Sequence, residues 1–413
     1  MTDRSGPSAP PAAAPAARVD EIGHACARPG ERGDVARRTQ QQAGHGGAGA
    51  RVVVVGGGYA GTMAANRLTG VPEVGHVVLV DAREHLVERI RLHQVAAGTG
   101  TATHDDLLSP RVERRTARAE RVGDGHVVLD DGTHLAFDRL VLAVGSHARV
   151  PAEVPGAREH AVPVAGLEDA HRLREALAAA GPGAAVTVVG GGLTGVETAS
   201  ELAAAHPGLR VRLLTDAGAA APAAVLAGPL ARLGVEVTTG GRVVEVTAHG
   251  VVLADGRGFA GDVTVWAAGF GVPDLARVSG LPVDDAGRLQ VGPDLVCGSD
   301  PRVVGAGDAV VVAGLPLRMT CQAALPMGAH AADVVAAGLR GAPAAPFGLA
   351  FVAQCVSLGR RRGVVVRVHD DARPPRVLVS GRPAAWVKEQ VCRATVRWLR
   401  TEARHPGRYR RRR

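Results

Sequence analysis

Two stretches of this sequence could do the same chemistry. Residues 51 to 61 read RVVVVGGGYAG and residues 185 to 197 read AVTVVGGGLTGVE. Each passes from β-branched residues into a glycine loop. The spacing is Gly56-x-Gly58-x-x-Gly61 in the first and, 134 residues on, Gly190-x-Gly192-x-x-Gly195 in the second. A strand that turns directly into a helix aims unpaired N–H groups and the positive end of the helix dipole at one spot. A phosphate reaches that spot only where side chains are missing, so the glycines predict two dinucleotide cradles. After the first loop comes Asp81, 25 residues beyond Gly56, where an acid would accept hydrogen bonds from ribose hydroxyls. In the second, Thr215 holds the equivalent place and Asp216 follows it. The stretch TDAGAAAPAAV has no Arg or Lys for a 2′-phosphate, which favours NADH over NADPH.

The elements that must position these loops follow from periodicity. A strand over 51–55, a helix over 60–68 and the strand HVVLVD ending at Asp81 make one β-α-β unit. Strands at 126–130 and 139–145 follow, with Asp131-Gly132 marking the turn. The pattern then restarts with a strand at 185–189, a helix over 196–205 and the strand RVRLLTD. Further strands end in DVTVWAAG, and RVVGAGDAV (302–310) is one more buried strand running into a glycine turn. A repeat of 134 residues is too long for a solenoid and fits a duplicated domain. The fold class expected is α/β. Two Rossmann-like domains are predicted, the first in two segments (49–165 and 285–340) with the second (166–284) inserted. A disordered arm over 1–48 precedes them, and a β-strand and helix region over 341–413 follows. Two cradles imply two dinucleotides. A retained flavin beside a transient nicotinamide is the economical pair, since flavins accept hydride and release electrons singly or in pairs.

Composition narrows the classes. The chain has 413 residues, 46% hydrophobic and 21% charged, with no apolar run of membrane-spanning length. The opening MTDRSGPSAPPAAAPAARVD lacks the continuous apolar segment of a secretory signal, so a cytoplasmic location is expected. Cys26, Cys297, Cys321, Cys355 and Cys392 are scattered, giving neither a CxxC pair nor a metal-ligand spacing. The net charge of +8 sits almost wholly in residues 397–413, with eight Arg against one Glu, so nucleic acid is not the expected partner.

With GGGYAG, LVLAVGS, GGGLTGVETASEL, VWAAG and GAGDA in that order, the chain resembles the two-dinucleotide-domain flavoproteins. It is most similar to the type II NADH dehydrogenases, which pass electrons from NADH through FAD to a quinone. The resemblance covers about residues 51 to 400. It implies FAD at Gly56, Gly58, Tyr59, Ala60, Gly61, Asp81, Ala143, Gly145, Gly307 and Asp308. It implies NADH at Gly190, Gly192, Leu193, Thr194, Gly195, Asp216 and Gly269. Glu197 matches a family glutamate beside the nicotinamide and the flavin ring. An acid in the first turns of a helix is also stabilised by the dipole alone. Gln322 matches the first glutamine of the family's A-Q-x-A-x-Q helix start, while Pro326 replaces the second. A proline has no amide to offer a quinone carbonyl, so at that point the chain departs from the family.

Disulfide-reducing relatives carry a cysteine pair shortly after the first β-α-β unit, where this chain reads ERIRLHQVAAGTG; a thiol acceptor is not expected. His93 in that segment is either a proton or hydrogen-bond donor at the flavin or part of the packing. The expected acceptor is a small molecule, a quinone first, with a small iron–sulfur protein or slow-turnover redox sensing as alternatives. A homodimer is left open. In the C-terminal helix, Val387, Val391, Ala394 and Trp398 form an apolar stripe beside Arg393, Arg397, Arg400 and Arg404. It either lies on an anionic membrane, on the inner face of the cell membrane, or packs on the body; the narrow stripe favours packing.

Overall fold

Strand β1 (Ala50–Val55) buries four consecutive valines, the pattern of a central strand covered on both faces. It feeds helix α1 (Tyr59–Leu68) and strand β2 (Val74–Asp81). A short helix, α2 (Leu92–Ala96), then strand β3 (Val112–Thr116), an antiparallel meander over 119–136 and strand β4 (Arg139–Leu142) complete the first half. β1 lies between β4 and β2, parallel to both, and β3 extends the sheet beyond β2. This computed structural model describes residues 49–216, 222–349, 353–367 and 376–410. The arm expected over 1–48 lies outside the described residues.

The chain then builds a second parallel sheet. Strand β5 (Ala161–Pro163) and helix α3 (Leu167–Ala180) lead into strand β6 (Ala185–Val189), helix α4 (Leu193–Ala205), strand β7 (Arg210–Thr215) and strand β8 (Val235–Thr239). A second meander over 243–260 and strand β9 (Val263–Trp266) close it, in the order β5-β9-β6-β7-β8. The duplication therefore extends past the glycine loops: each half has a β-α-β unit, a meander and a returning strand beside the first one. Afterwards the chain re-enters the first sheet. Strand β10 (Asp300–Gly305) pairs with β4, and three short strands over 289–312 bring that sheet to eight.

Helix α5 (Cys321–Leu339) lies across α1 at close range. A Cβ on Gly328 would stand 2.1 Å from the Ala60 carbonyl oxygen, so only glycine permits this approach. Pro326 is buried inside α5 and lines neither of the two clefts described below. An antiparallel sheet of β11 (Ala353–Ser357), β12 (Gly363–Arg367) and β13 (Arg376–Gly381) follows, then helix α6 (Arg382–Arg404). Val356, Val364 and Val366 of that sheet share a core with Leu92, Val95, Val196 and Leu202.

Helix α6 packs on the body. Its buried face is Ala384, Cys392, Thr395, Val396, Leu399 and Glu402, and the expected stripe of Val387, Val391, Ala394 and Trp398 is only half-buried. Glu402 is fully buried and accepts hydrogen bonds from Arg67 Nη1 (2.9 Å) and the N–H groups of Gly407 and Tyr409 (2.7 Å each). Asn66 Nδ2 donates to the Leu399 carbonyl at 3.3 Å. Both Asn66 and Arg67 belong to the last turn of α1, so residues 399–409 are tied to the helix of the first cradle.

Candidate functional site

The two glycine loops have the same backbone. Gly56 and Gly190 adopt φ of +106° and +118°, a region L side chains avoid. A Cβ on Gly61 would stand 1.8 Å from the Gly56 carbonyl oxygen, and one on Gly195 1.8 Å from that of Gly190. Around Gly58 and Gly192, by contrast, a Cβ would meet nothing within 4 Å, and no side chain caps either helix. Each loop thus leaves a helix N-terminus facing open space, as an anionic diphosphate requires. Asp81 ends β2 beside the first loop, accepting N–H bonds from Gly57 (2.5 Å) and Arg83 (2.7 Å). At the second loop the matching place opposite Gly191 belongs to Thr215, whose Oγ1 would lie 2.3 Å from a Cβ there; Asp216 is exposed one residue further on.

One large cleft gathers most of the predicted residues. Gly56, Gly58, Tyr59, Ala60, Asp81, Ala143, Gly145, Gly307 and Asp308 line it, together with Leu193, Thr194, Glu197 and Gln322. Gly61, Gly190, Gly192, Gly195, Asp216 and Gly269 do not line it. Gly61 and Gly195 act from beneath, by letting strand and helix meet. Gly145, Gly269 and Gly307 turn the chain with φ of +69°, +89° and +81° at the ends of the strands that reach the cleft.

Arg89 bridges the cleft. Its Nη1 donates to Ser146 Oγ at 2.8 Å, Ser146 Oγ donates to Asp308 Oδ2 at 2.7 Å, and its Nε donates to the Ala165 carbonyl at 3.2 Å. The guanidinium also stands 5.8 Å from the Phe270 ring centroid. Burial holds its pKa below the ordinary arginine value despite the attraction of Asp308.

Deeper in, Glu197 on α4 meets Lys388 on α6 at 2.9 Å, and the Ser357 N–H of β11 donates to the same carboxylate oxygen at 2.9 Å. Burial alone would raise Glu197. The Lys388 ammonium and the Ser357 N–H outweigh it and hold the carboxyl below its usual range. Lys388 is raised in turn, against burial, by Glu197, so both groups are charged. His93 lines the same wall, and burial lowers it to about 4, so it is a neutral imidazole near pH 7. Gln322 reaches the wall too, but its Nε2 donates to the Ala353 carbonyl at 3.2 Å. The described cysteines are free thiols, and burial pushes Cys321 up to about 11 and Cys392 up to about 12, too high for thiolate chemistry.

Residues 50–332 match the pyridine nucleotide-disulphide oxidoreductase family. The chain belongs to that family. An NADH dehydrogenase-like protein of Mycobacterium tuberculosis is 31% identical over 377 residues, 83% of this chain and 92% of the relative. The type II NADH:quinone oxidoreductase of the same organism is 30% identical over 346 residues, 71% and 73% of the two chains. The ferredoxin–NAD(+) reductase component of the p-cumate 2,3-dioxygenase system of Pseudomonas putida is 30% identical over 265 residues, 58% and 63% of the two. Among solved structures, NDH2 of Plasmodium falciparum in complex with NADH superposes with a TM-score of 0.68 over 87% of this chain and 99% of that one; at 14% identity the likeness is of fold. This family member is an NADH-dependent flavoprotein oxidoreductase whose cofactors are FAD and NADH.

Sequence reasoning did not find Arg89, Ser357 or Lys388. For Lys388 a signal was present: it is the single lysine in a chain whose Lys and Arg together number 48.

Proposed function

We propose that this chain holds FAD in the first cradle, receives NADH at the second, and passes the electrons to a quinone. The observation that carries the reading is the shared cleft, in which Leu193, Thr194 and Glu197 of the second cradle's helix stand with Gly58, Asp81 and Asp308 of the first. The residues proposed to hold FAD are Gly56, Gly58, Tyr59, Ala60, Gly61, Asp81, Ala143, Gly145, Gly307 and Asp308. Those proposed for NADH are Gly190, Gly192, Leu193, Thr194, Gly195, Asp216 and Gly269. We also assign 49–165 and 285–340 to the flavin domain and 166–284 to the NADH domain.

When bound, a flavin supplies a hydride acceptor toward NADH and an electron donor toward the acceptor. The chain's own part would be positioning, since hydride transfer needs no acid or base. The loops would hold the two diphosphates by backbone N–H groups. Asp308, steadied by Ser146 and Arg89, offers a fixed carboxylate to hydroxyls beside the first cradle. Glu197 and Lys388 set one negative and one positive charge in the wall, and neutral His93 adds a hydrogen-bonding ring without charge.

Among the described residues no helix is long and apolar enough to cross a membrane. Access to quinone is proposed to be peripheral, through the C-terminal region, where Trp386 is 65% exposed and Val377, Leu378 and Val379 are uncovered. Pro326 and the ferredoxin reductase relative favour a second acceptor, a small iron–sulfur protein. Anaerobic addition of NADH to the purified protein, then a menaquinone analogue, tests both. Bleaching of the flavin band followed by rapid recovery supports the quinone. Recovery only with an oxidised iron–sulfur protein supports the second reading, and absence of bleaching defeats both.

A further inference from the structure

A second cleft, of about 670 Å³, lies on the other side of Arg91 and Glu389. Its lining comes from three separate segments: the 88–104 stretch, the turn between β11 and β12, and helix α6. The character is unlike that of the cofactor cleft. Arg91, Arg360, Arg393, Arg397 and Arg400 line it against two carboxylates, Glu88 and Glu389, and Val396 is its only apolar side chain with more than a methyl group.

Both carboxylates are already engaged. Glu389 accepts from Arg91 at 3.0 and 3.1 Å and from Arg393 at 2.8 Å. Glu88 stands 3.0 Å from both Arg91 and His104. Arg400 is paired with Asp106 at 2.9 Å. Arg360 and Arg397 make no side-chain hydrogen bond or ion pair among the described residues, although both border the cleft. Two arginines without a side-chain hydrogen bond or ion pair among the described residues therefore border a concave space, beside the neutral groups of Gln94, Thr101 and Gln390.

We propose that this cleft is a binding site for a phosphate-bearing anion, held by Arg360 and Arg397 with Arg393 in support. The forked geometry suits phosphate oxygens taken two at a time. Concavity favours a small ligand over a protein face, and five arginines against two carboxylates favour an anion over a neutral quinone ring. A bound anion would link α6, the β11–β12 turn and the 88–104 stretch, the three segments that close over Glu197 and Lys388.

The test uses the full chain saturated with FAD and NAD+, so that both cradles are filled. Titration with inorganic pyrophosphate should show one saturable site that weakens as sodium chloride rises. The double variant R360Q/R397Q should bind at least tenfold more weakly, since each substitution removes a charged, forked donor. The control R361Q/R376Q removes two exposed arginines outside the cleft and should shift binding less than twofold. Flotation with phosphatidylcholine vesicles, with and without phosphatidylglycerol, distinguishes the sources. Loss of vesicle binding in R360Q/R397Q alone points to a lipid headgroup; loss of pyrophosphate binding alone points to a free phosphate compound. No saturable binding of either probe, equal loss in the control, or dependence on these arginines only for an acidic iron–sulfur protein would overturn the assignment. The measurement involves no turnover, so its failure is separate from failure of the electron-transfer reading.

Discussion

The Glu197 carboxylate lies 2.9 Å from the ammonium of Lys388, joining a helix of the second nucleotide unit to the C-terminal helix inside the wall of the cleft. Removing one member strands the other as a buried charge. Lys388→Met should cost about 3–5 kcal/mol of stability. The double variant E197Q/K388M should recover most of that loss, because it removes both charges together. Urea unfolding of the four proteins in the cycle checks this; simple additivity would mean the two groups do not interact. Lys388→Arg should give only part of the wild-type stability, since a planar guanidinium does not replace a compact ammonium.

The twin loops should fail separately. Gly61→Ala forces a methyl group into the Gly56 carbonyl, and Gly195→Ala does the same at Gly190. The first should yield protein without its flavin band. The second should keep the flavin but need at least a tenfold higher NADH concentration for half-maximal bleaching. Visible absorbance after purification and an NADH titration separate the two outcomes. The reverse pattern would exchange the cofactor assignments.

Acid sensitivity should trace in part to His93. Its imidazole is lowered to about 4 by burial, below the 6.5 of a free histidine. Between those values the unfolded chain binds more protons than the folded one, so stability falls as pH drops through that window. The ceiling is about 3 kcal/mol. His93→Gln should flatten the fall in melting temperature between pH 6.5 and 4.5, with little change at pH 8.

Glu201 should act in the opposite direction. It is buried one turn beyond Glu197, with Oε1 accepting from Thr99 and Oε2 without a hydrogen-bond partner among the described residues. Burial raises its pKa, and Glu197 adds to the rise. A raised carboxyl stabilises the fold below the ordinary glutamate range and loses that contribution as pH rises through the folded value. Glu201→Gln should therefore melt higher than wild type at pH 8, with the advantage shrinking toward pH 5. A constant difference across the range would show that the carboxyl does not titrate with folding.

What the sequence made legible was what depends on neighbours along the chain. The β-branched run, the glycine spacing and the helix start are set within about fifteen residues, and the predicted strands and helices are present with shifted ends: helix α4 starts at Leu193 instead of Val196, β4 stops at Leu142 instead of 145, and β10 spans Asp300–Gly305 instead of 302–310. Gly328, Arg89 and Ser357 were not legible, and Lys388 only through its rarity, because each acts on residues distant in the chain. Gly328 matters through the Ala60 carbonyl, and Lys388 through Glu197. The apolar stripe of α6 was misplaced for a related reason: buried Thr395 and Glu402 belong to the packed face, since Glu402 is satisfied there by Arg67. Polarity alone could not place them inside.

The bond between Arg67 and Glu402 also sets a schedule. A ribosome makes the first cradle early, yet its helix is missing a buried carboxylate partner until more than three hundred further residues have been added. During that interval the first cradle is an unfinished object. A chain interrupted just before residue 402 carries every glycine of both loops, yet leaves Arg67 with Asp333, which is half-exposed, in place of its buried carboxylate partner. Completion of the first loop's helix is thus coupled to the addition of residue 402.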